Sequence, residues 1–231
     1  MHALGVDAAG KAGWVGVVVD ESGFVAAHLH PTLVGLVGAA EQALDARLVA
    51  IGVDIPIGLV DARVRSVDVA ARAYVGPRRS SVFPAPHPAV VHLEDHAEVN
   101  RALVALGWPR ISVQAFHLFP RVREAAALAD DDRLFEAFPE ASFRALAGRP
   151  VASAKKTWNG QADRRALLAG ARPPIVLPDD LDAPGEVPVD DVLDAAAAGW
   201  SALRYGRGEA EAHGDPSEVD AVNGRRIALW V

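Results

Sequence analysis

The sequence predicts an α/β domain built on a mixed sheet. Three observations carry this expectation. Three short β-type runs joined by tight turns open the chain. A helical segment then leads to a fourth, continuously apolar run. The first and fourth runs end alike, in Gly5-Val6-Asp7 and Gly52-Val53-Asp54.

Ala3 to Val6 is a short apolar run closed by Asp7, and Ala8 to Gly13 is a small-residue turn. Trp14 to Val19 is rich in β-branched residues and stops at the turn cluster Asp20-Glu21-Ser22-Gly23. Phe24 to Leu29 reads as a third strand, completing an antiparallel meander. Thr32 is placed to cap a helix running to about Ala46. Leu33, Leu36, Val37, Ala40 and Leu44 would share its apolar face. Leu48 to Val53 is apolar throughout, as a strand buried on both faces would be. A helical crossover of this length returns a strand parallel to an earlier one, with a right-handed connection. If strand four lies beside strand one, Asp7 and Asp54 leave the same sheet edge.

Beyond Asp54 the chain is expected to be helical and loop-rich. Helices are predicted over Ser66–Val75, Glu94–Leu106, Phe119–Ala129 and Gln161–Ala169, with a short one near Phe143–Leu146 and a last one over Val189–Arg204. Gly76 to Pro88 holds four prolines together with Arg78 and Arg79, a rigid loop. Arg133 to Phe138 reads as the fifth strand. Arg172 to Pro188 is a Pro-rich acidic connection. Ala221 to Ala228 reads as a hairpin turning at Asn223-Gly224. One domain over residues 1–231 is expected, with an insertion at about 60–130 between strands four and five and a C-terminal hairpin at about 219–231.

Composition bounds the function. The 231 residues are 51% hydrophobic and 23% charged, an ordinary globular profile. Thirty acidic against 23 basic residues give a formal charge of −7. That excludes a basic nucleic-acid-coating protein but not a nuclease that holds cations on carboxylates. The chain has no cysteine, so disulfides, thiolate nucleophiles and metal–thiolate sites are ruled out. No apolar stretch reaches transmembrane length, so no membrane partner is expected. The N-terminal MHALGVDAAG lacks the pattern of a signal peptide, and a cytoplasmic location is expected. Heavy use of Ala, Val, Arg and Asp suggests a GC-rich bacterial coding bias.

Asp7 and Asp54 are the sharpest signals, because each ends an apolar strand with a charge. Side by side, such carboxylates repel and raise each other's pKa unless a cation neutralises them. A turn or cap role is the plain alternative, but Asp54 runs into Ile55-Pro56-Ile57-Gly58 and starts no helix. Asp191 and Asp194 are three apart and share a helix face. Asp190 could be an N-cap, and acids in a first turn also complement the helix dipole. The four alanines after Asp194 would let this helix approach the sheet closely. Glu136 sits inside an apolar run, where an unpartnered Glu is rare; Glu140 follows Pro139. Lys155 and Lys156 stand out because Lys11 is the only other lysine; a compact ammonium suits phosphate.

Taken together, GVDAAGKAGW, IGVDIPIGL, ARAYVGPRRSSVFPAP, the isolated Gln114, FEAFPEASF, SAKKTWNGQADRR and DDVLDAAAAGW resemble an uncharacterised family of predicted RNase H-like nucleases, the domain-of-unknown-function family 429. The resemblance spans roughly residues 3 to 204, in the family's motif order. It implies an RNase H-like fold akin to RuvC-type resolvases: a five-stranded mixed sheet with helices on both faces and a helical insertion between strands four and five. It implies divalent-metal chemistry with acids on strand one, after strand four and on the last helix, here Asp7, Asp54 and the Asp191/Asp194 pair. Glu136 and Glu140 match the family's E-x-x-P-E element. One position departs from the pattern: Ala126 stands where an acid would follow Glu124.

The expected reaction is metal-assisted hydrolysis of a phosphodiester in a nucleic acid, using Mg²⁺ or Mn²⁺ ions about 3.5–4 Å apart. Hard carboxylate oxygens suit those cations. Asp7, Asp54, Asp191 and Asp194 are the candidate metal ligands, and Glu136 joins them as a candidate catalytic residue. Arg78, Arg79, Lys155, Lys156 and Gln114 are candidates for holding substrate. Two alternatives stand beside this. One is a sugar-kinase-like phosphotransferase, for which the chain is short and lacks a second Gly-rich phosphate loop. The other is a non-catalytic binding protein that keeps the fold.

Overall fold

The computed structural model describes residues 1–61, 64–221 and 224–231. In chain order the elements are β1 (Ala3–Ala8), β2 (Trp14–Asp20), β3 (Gly23–His30), α1 (Leu33–Leu44), β4 (Ala50–Val53), α2 (Ser66–Val75), α3 (His96–Ala105), α4 (Val113–Phe116), α5 (Phe119–Ala126), β5 (Leu134–Glu136), α6 (Pro139–Ala147), α7 (Trp158–Ala169), α8 (Val189–Gly206), β6 (Ala212–His213) and β7 (Leu229–Trp230). The main sheet has five strands in the order β3-β2-β1-β4-β5. The meander β1 to β3 is antiparallel, and β4 and β5 join it parallel to β1. This is the α/β mixed sheet that the opening pattern predicts.

Helices cover both faces. Leu4, Val6, Val18, Ile51 and Val53 pack against α1 and α5 on one side. Ala3, Val15, Val17 and Ala50 pack against α8, with α2, α6 and α7 beyond it, on the other. α1 begins where expected: Thr32 Oγ1 accepts the Gly35 N–H at 3.3 Å, filling one of the orphan donors of a first turn. It stops at Leu44 because Asp45 takes a left-handed conformation, φ 48°.

The seating of α8 decides where its acids go. Its small residues let it lie almost on the backbone of the sheet. A Cβ on Gly5 would come within 1.9 Å of the Gly199 nitrogen and 2.1 Å of the Ala195 carbonyl oxygen. A Cβ on Gly52 would meet the Ala198 oxygen at 3.0 Å. Every residue of α8 from Val192 to Leu203 is buried. The alanine run is therefore a packing face, as its composition suggests.

Several boundaries differ from expectation, for local reasons. β5 is shorter than Arg133–Phe138, because Phe138 becomes the N-cap of α6 and Pro139 its first residue. Proline suits that position, having no N–H to leave unsatisfied. Helix α7 starts at Trp158 and not Gln161, because Thr157 Oγ1 accepts the Gly160 N–H at 3.1 Å. Gly76–Ser81 is a 3₁₀ turn within the expected Pro-rich loop. Asp190 is not an N-cap; Pro188 holds that place and Asp190 is buried in the first turn. At the C-terminus, Val219 and Arg226 form a single antiparallel bridge, and the paired strands are β6 and β7. The predicted turn at Asn223 lies outside the described residues. Among the described residues, no helix is long and apolar enough to cross a membrane.

Candidate metal centre

β1 and β4 are adjacent and parallel, with Val6 opposite Val53. The Asp54 N–H donates to the Val6 carbonyl at 2.9 Å. Asp7 and Asp54 therefore leave the same end of neighbouring central strands. The close seating of α8 carries Asp194 to that end as well. The three side chains each offer a carboxylate oxygen, and these oxygens lie within 4.8 Å of one another. Asp7 and Asp194 are buried and Asp54 is half-buried. The Ala8 N–H donates to Asp7 Oδ1 at 2.6 Å. Asp194 Oδ1 is buried with no hydrogen-bond partner among the described residues, and buried polar atoms are mostly partnered.

The electrostatics agree with the geometry. Burial, then the charges of Asp54 and Asp194, hold the Asp7 pKa well above the carboxylate range. Burial and the Asp194 charge push Asp54 up to about 8. Burial raises Asp194 to about 6, against the lowering effect of Lys155. Asp191, half-buried at the rim, rises to about 6 through burial and the neighbouring Asp190 charge. The cation present is Lys155. Its Nζ lies 2.5 Å from Asp194 Oδ2 and 3.6 Å from Asp190 Oδ2. Burial works against that ammonium, and the Asp194 charge outweighs it.

The other expected site residues fall differently. Glu136 borders the same cavity but does not join the triad. Both its oxygens are taken: Arg65 Nη1 and Nη2 donate to them at 2.8 and 2.9 Å, and the Ile57 N–H adds a third bond at 2.8 Å. Arg78 is spent on the chain itself, donating to the carbonyls of Val151 and Ala152. Arg79 is exposed on the 3₁₀ turn, and Gln114 is exposed on α4 and does not line the cavity. Lys155 sits within the acid cluster and not on a free surface, while Lys156 is exposed, 4.0 Å from Asp190. Glu124, beside the departing Ala126, accepts from Trp14 Nε1, the Leu33 N–H and Arg121 Nη1. It ties β2, α1 and α5 together.

Two buried arginines escaped sequence reasoning. Arg65 pairs with Asp68 at 2.5 Å as well as with Glu136, and Arg164 pairs with Glu140 at 2.7 Å. For Arg164 a signal existed: Gly160, Arg164 and Leu168 recur every four residues, and all three are buried. For Arg65 the near partner, Asp68, stands three positions on and was open to reading, but Glu136, 71 positions away, was not.

The acids line a cavity of about 270 Å³. Fold and site thus define an α/β protein with a five-stranded mixed sheet and a buried carboxylate triad able to bind a metal ion. The chain belongs to the family described as "Protein of unknown function (DUF429)", whose model matches residues 5–219. No curated protein and no solved structure matches it.

Proposed function

We propose that this chain is a divalent-metal-dependent phosphodiesterase, a nuclease of RNase H-like fold using Mg²⁺ or Mn²⁺. The observation that carries this is the triad: three carboxylates from three separate elements, converging at the ends of adjacent parallel strands, with one buried oxygen lacking any partner. Ligands of open α/β sheets bind at that end of the strands. The donor set fits the group. All-oxygen, carboxylate-rich sites suit hard cations, and burial together with the neighbouring carboxylate charges raises the pKa values of Asp7 and Asp54. The strand order β3-β2-β1-β4-β5, with helices on both faces, supports the RNase H-like assignment.

Asp7, Asp54 and Asp194 would hold the cation, with Asp191 at the rim as a further ligand. A bound Mg²⁺ or Mn²⁺ supplies charge stabilisation at phosphoryl oxygens and a water of lowered pKa. The Ala8 N–H fixes the Asp7 carboxylate in place. Arg65 and Arg164 neutralise Glu136 and Glu140, so that neither competes for the ion.

One contact favours a second reading, a non-catalytic protein. The Lys155 ammonium already meets Asp194, as a built-in cation would. Calorimetric titration with Mn²⁺, followed by cleavage assays on single-stranded, duplex and branched substrates, separates the two. Tight Mn²⁺ binding and cleavage, both lost in Asp7→Asn, support the nuclease. Binding without cleavage on any substrate moves the protein to the second reading. Unchanged cleavage in Asp7→Asn ends the metal role of that residue.

A further inference from the structure

The cavity holding the acids has a second character. Away from the carboxylates its lining is largely apolar: Val67 and Ala71 of α2, Val82 and Phe83 after the 3₁₀ turn, Leu118, and Phe138 at the start of α6. A site that only clamped backbone phosphate would gain nothing from such walls. Phe83 is 46% exposed although it lines the cavity, so a large ring stands uncovered beside the acids. Exposed aromatic rings next to phosphate sites are platforms on which bases stack. The volume, about 270 Å³, falls just below the roughly 300–1,000 Å³ of pockets that enclose drug-sized ligands, room for one small unit and no more.

The surrounding cations argue against an extended partner. Arg72 donates to the Val82 carbonyl and Arg78 to those of Val151 and Ala152. Arg65, Arg164 and Lys155 are engaged by carboxylates. Lys156, 4.0 Å from Asp190, and Arg79, on the 3₁₀ turn, are exposed. A protein that tracks a duplex neutralises roughly 6–10 phosphates, and this chain carries a net charge of −7.

We infer that the cavity takes one nucleoside unit with its phosphoester, the base against Phe83 and the phosphate toward the triad, and does not take a continuous duplex. The inference rests on the metal-dependent reading above. The same chemistry has two sources, a free nucleotide ester and the unpaired end of a strand.

The test is calorimetry on the full chain loaded with Mn²⁺. Thymidine 5′-monophosphate should bind at least about tenfold more tightly than inorganic phosphate. Phe83→Ala should remove most of that margin while leaving Mn²⁺ affinity and melting temperature unchanged, since the ring is exposed. A single-stranded oligonucleotide that displaces the nucleotide, where a blunt duplex does not, identifies a strand end as the source. Displacement by neither identifies a free ester. Equal binding of nucleotide and phosphate, no effect of Phe83→Ala, or displacement by the blunt duplex overturns the inference and leaves the metal site standing. Failure of Mn²⁺ itself to bind overturns the metal reading and this inference with it.

Discussion

Two sets of buried acids border one cavity, and they are built in opposite ways. Asp68 and Glu136 share Arg65 at 2.5 and 2.8 Å, and Glu140 pairs with Arg164 at 2.7 Å, two cations for three acids. Asp7, Asp54 and Asp194 share one lysine among them, and that lysine contacts Asp194. Burial is similar and all six are carboxylates. The difference lies in the counter-charge: one set is paired within the fold, and the other is left with carboxylate oxygens that could hold a metal ion. A buried ion pair is costly to break, because the survivor keeps the desolvation penalty. A buried like-charge cluster is costly to keep, and protonation or a cation relieves it.

The largest effect should come from breaking the paired set. Arg65→Met leaves both Asp68 and Glu136 buried without their cation. It should cost about 3–5 kcal/mol of unfolding free energy. Chemical denaturation in chelator and in Mn²⁺ should show the same loss. A loss below about 1 kcal/mol would mean that the paired acids are not the structural set.

Asp7→Asn should behave in the opposite sense. The shape stays and a repelled charge goes. In chelator its melting temperature should equal or exceed that of the wild type, while Mn²⁺ affinity falls at least about 100-fold, about 2.7 kcal/mol. Destabilisation in chelator would place Asp7 among the structural acids and erase the contrast.

The contrast was only half legible in the sequence. Asp7 and Asp54 were, because each closes an apolar run and the pattern of strand, helix and strand brings those ends together. The alanines of α8 also announced close packing, and Gly5 and Gly199 show how close it is. The choice between Asp191 and Asp194 was not legible. Three-residue spacing puts both on one helix face, and only the depth to which α8 sinks buries Asp194 and leaves Asp191 at the rim. The pairing of Glu136 was hidden for a similar reason. Arg65 and Glu136 come from opposite ends of the insertion between β4 and β5, so no local pattern connects them. Glu136 therefore looked like a member of the site, since a lone Glu in an apolar run reads the same whether its partner is a metal or an arginine.

A pH scan sharpens the comparison further. In the unfolded chain Asp54 ionises at about 4, as an ordinary aspartate does; in the folded, metal-free protein it holds its proton to about 8. A raised carboxyl pKa stabilises the fold fully below the unfolded value and loses that contribution as pH rises through the folded one. Asp7 acts in the same direction. Stability in chelator should therefore fall by at least about 2 kcal/mol between pH 5 and pH 8.5. Asp54→Asn should flatten that slope, and Mn²⁺ should restore the wild type at the upper end. A flat wild-type profile in chelator would show that the triad is neutralised already.

The smallest effect belongs to Lys155, and it decides what the built-in cation is for. Its ammonium meets Asp194 at 2.5 Å, yet the side chain is 32% exposed, so solvent screens the pair. In Lys155→Met, Asp194 loses its neighbour but can take up a proton, since its pKa already stands at about 6. The melting temperature in chelator should fall by a few degrees at pH 8 and by less at pH 6. Metal affinity should move the other way. An ammonium beside a divalent ion repels it and competes for the same carboxylate. Removing it should tighten Mn²⁺ binding several-fold, up to about tenfold, or about 1.4 kcal/mol. Calorimetry on the variant and the wild type at one pH checks this directly. Unchanged affinity would make Lys155 a fixed structural partner of Asp194, aligning it with Arg65 and Arg164. Weaker affinity would mean that the ammonium holds Asp194 in position for the ion. Tighter affinity alone marks Lys155 as a placeholder that the metal displaces, the one cation of this cavity that is made to leave.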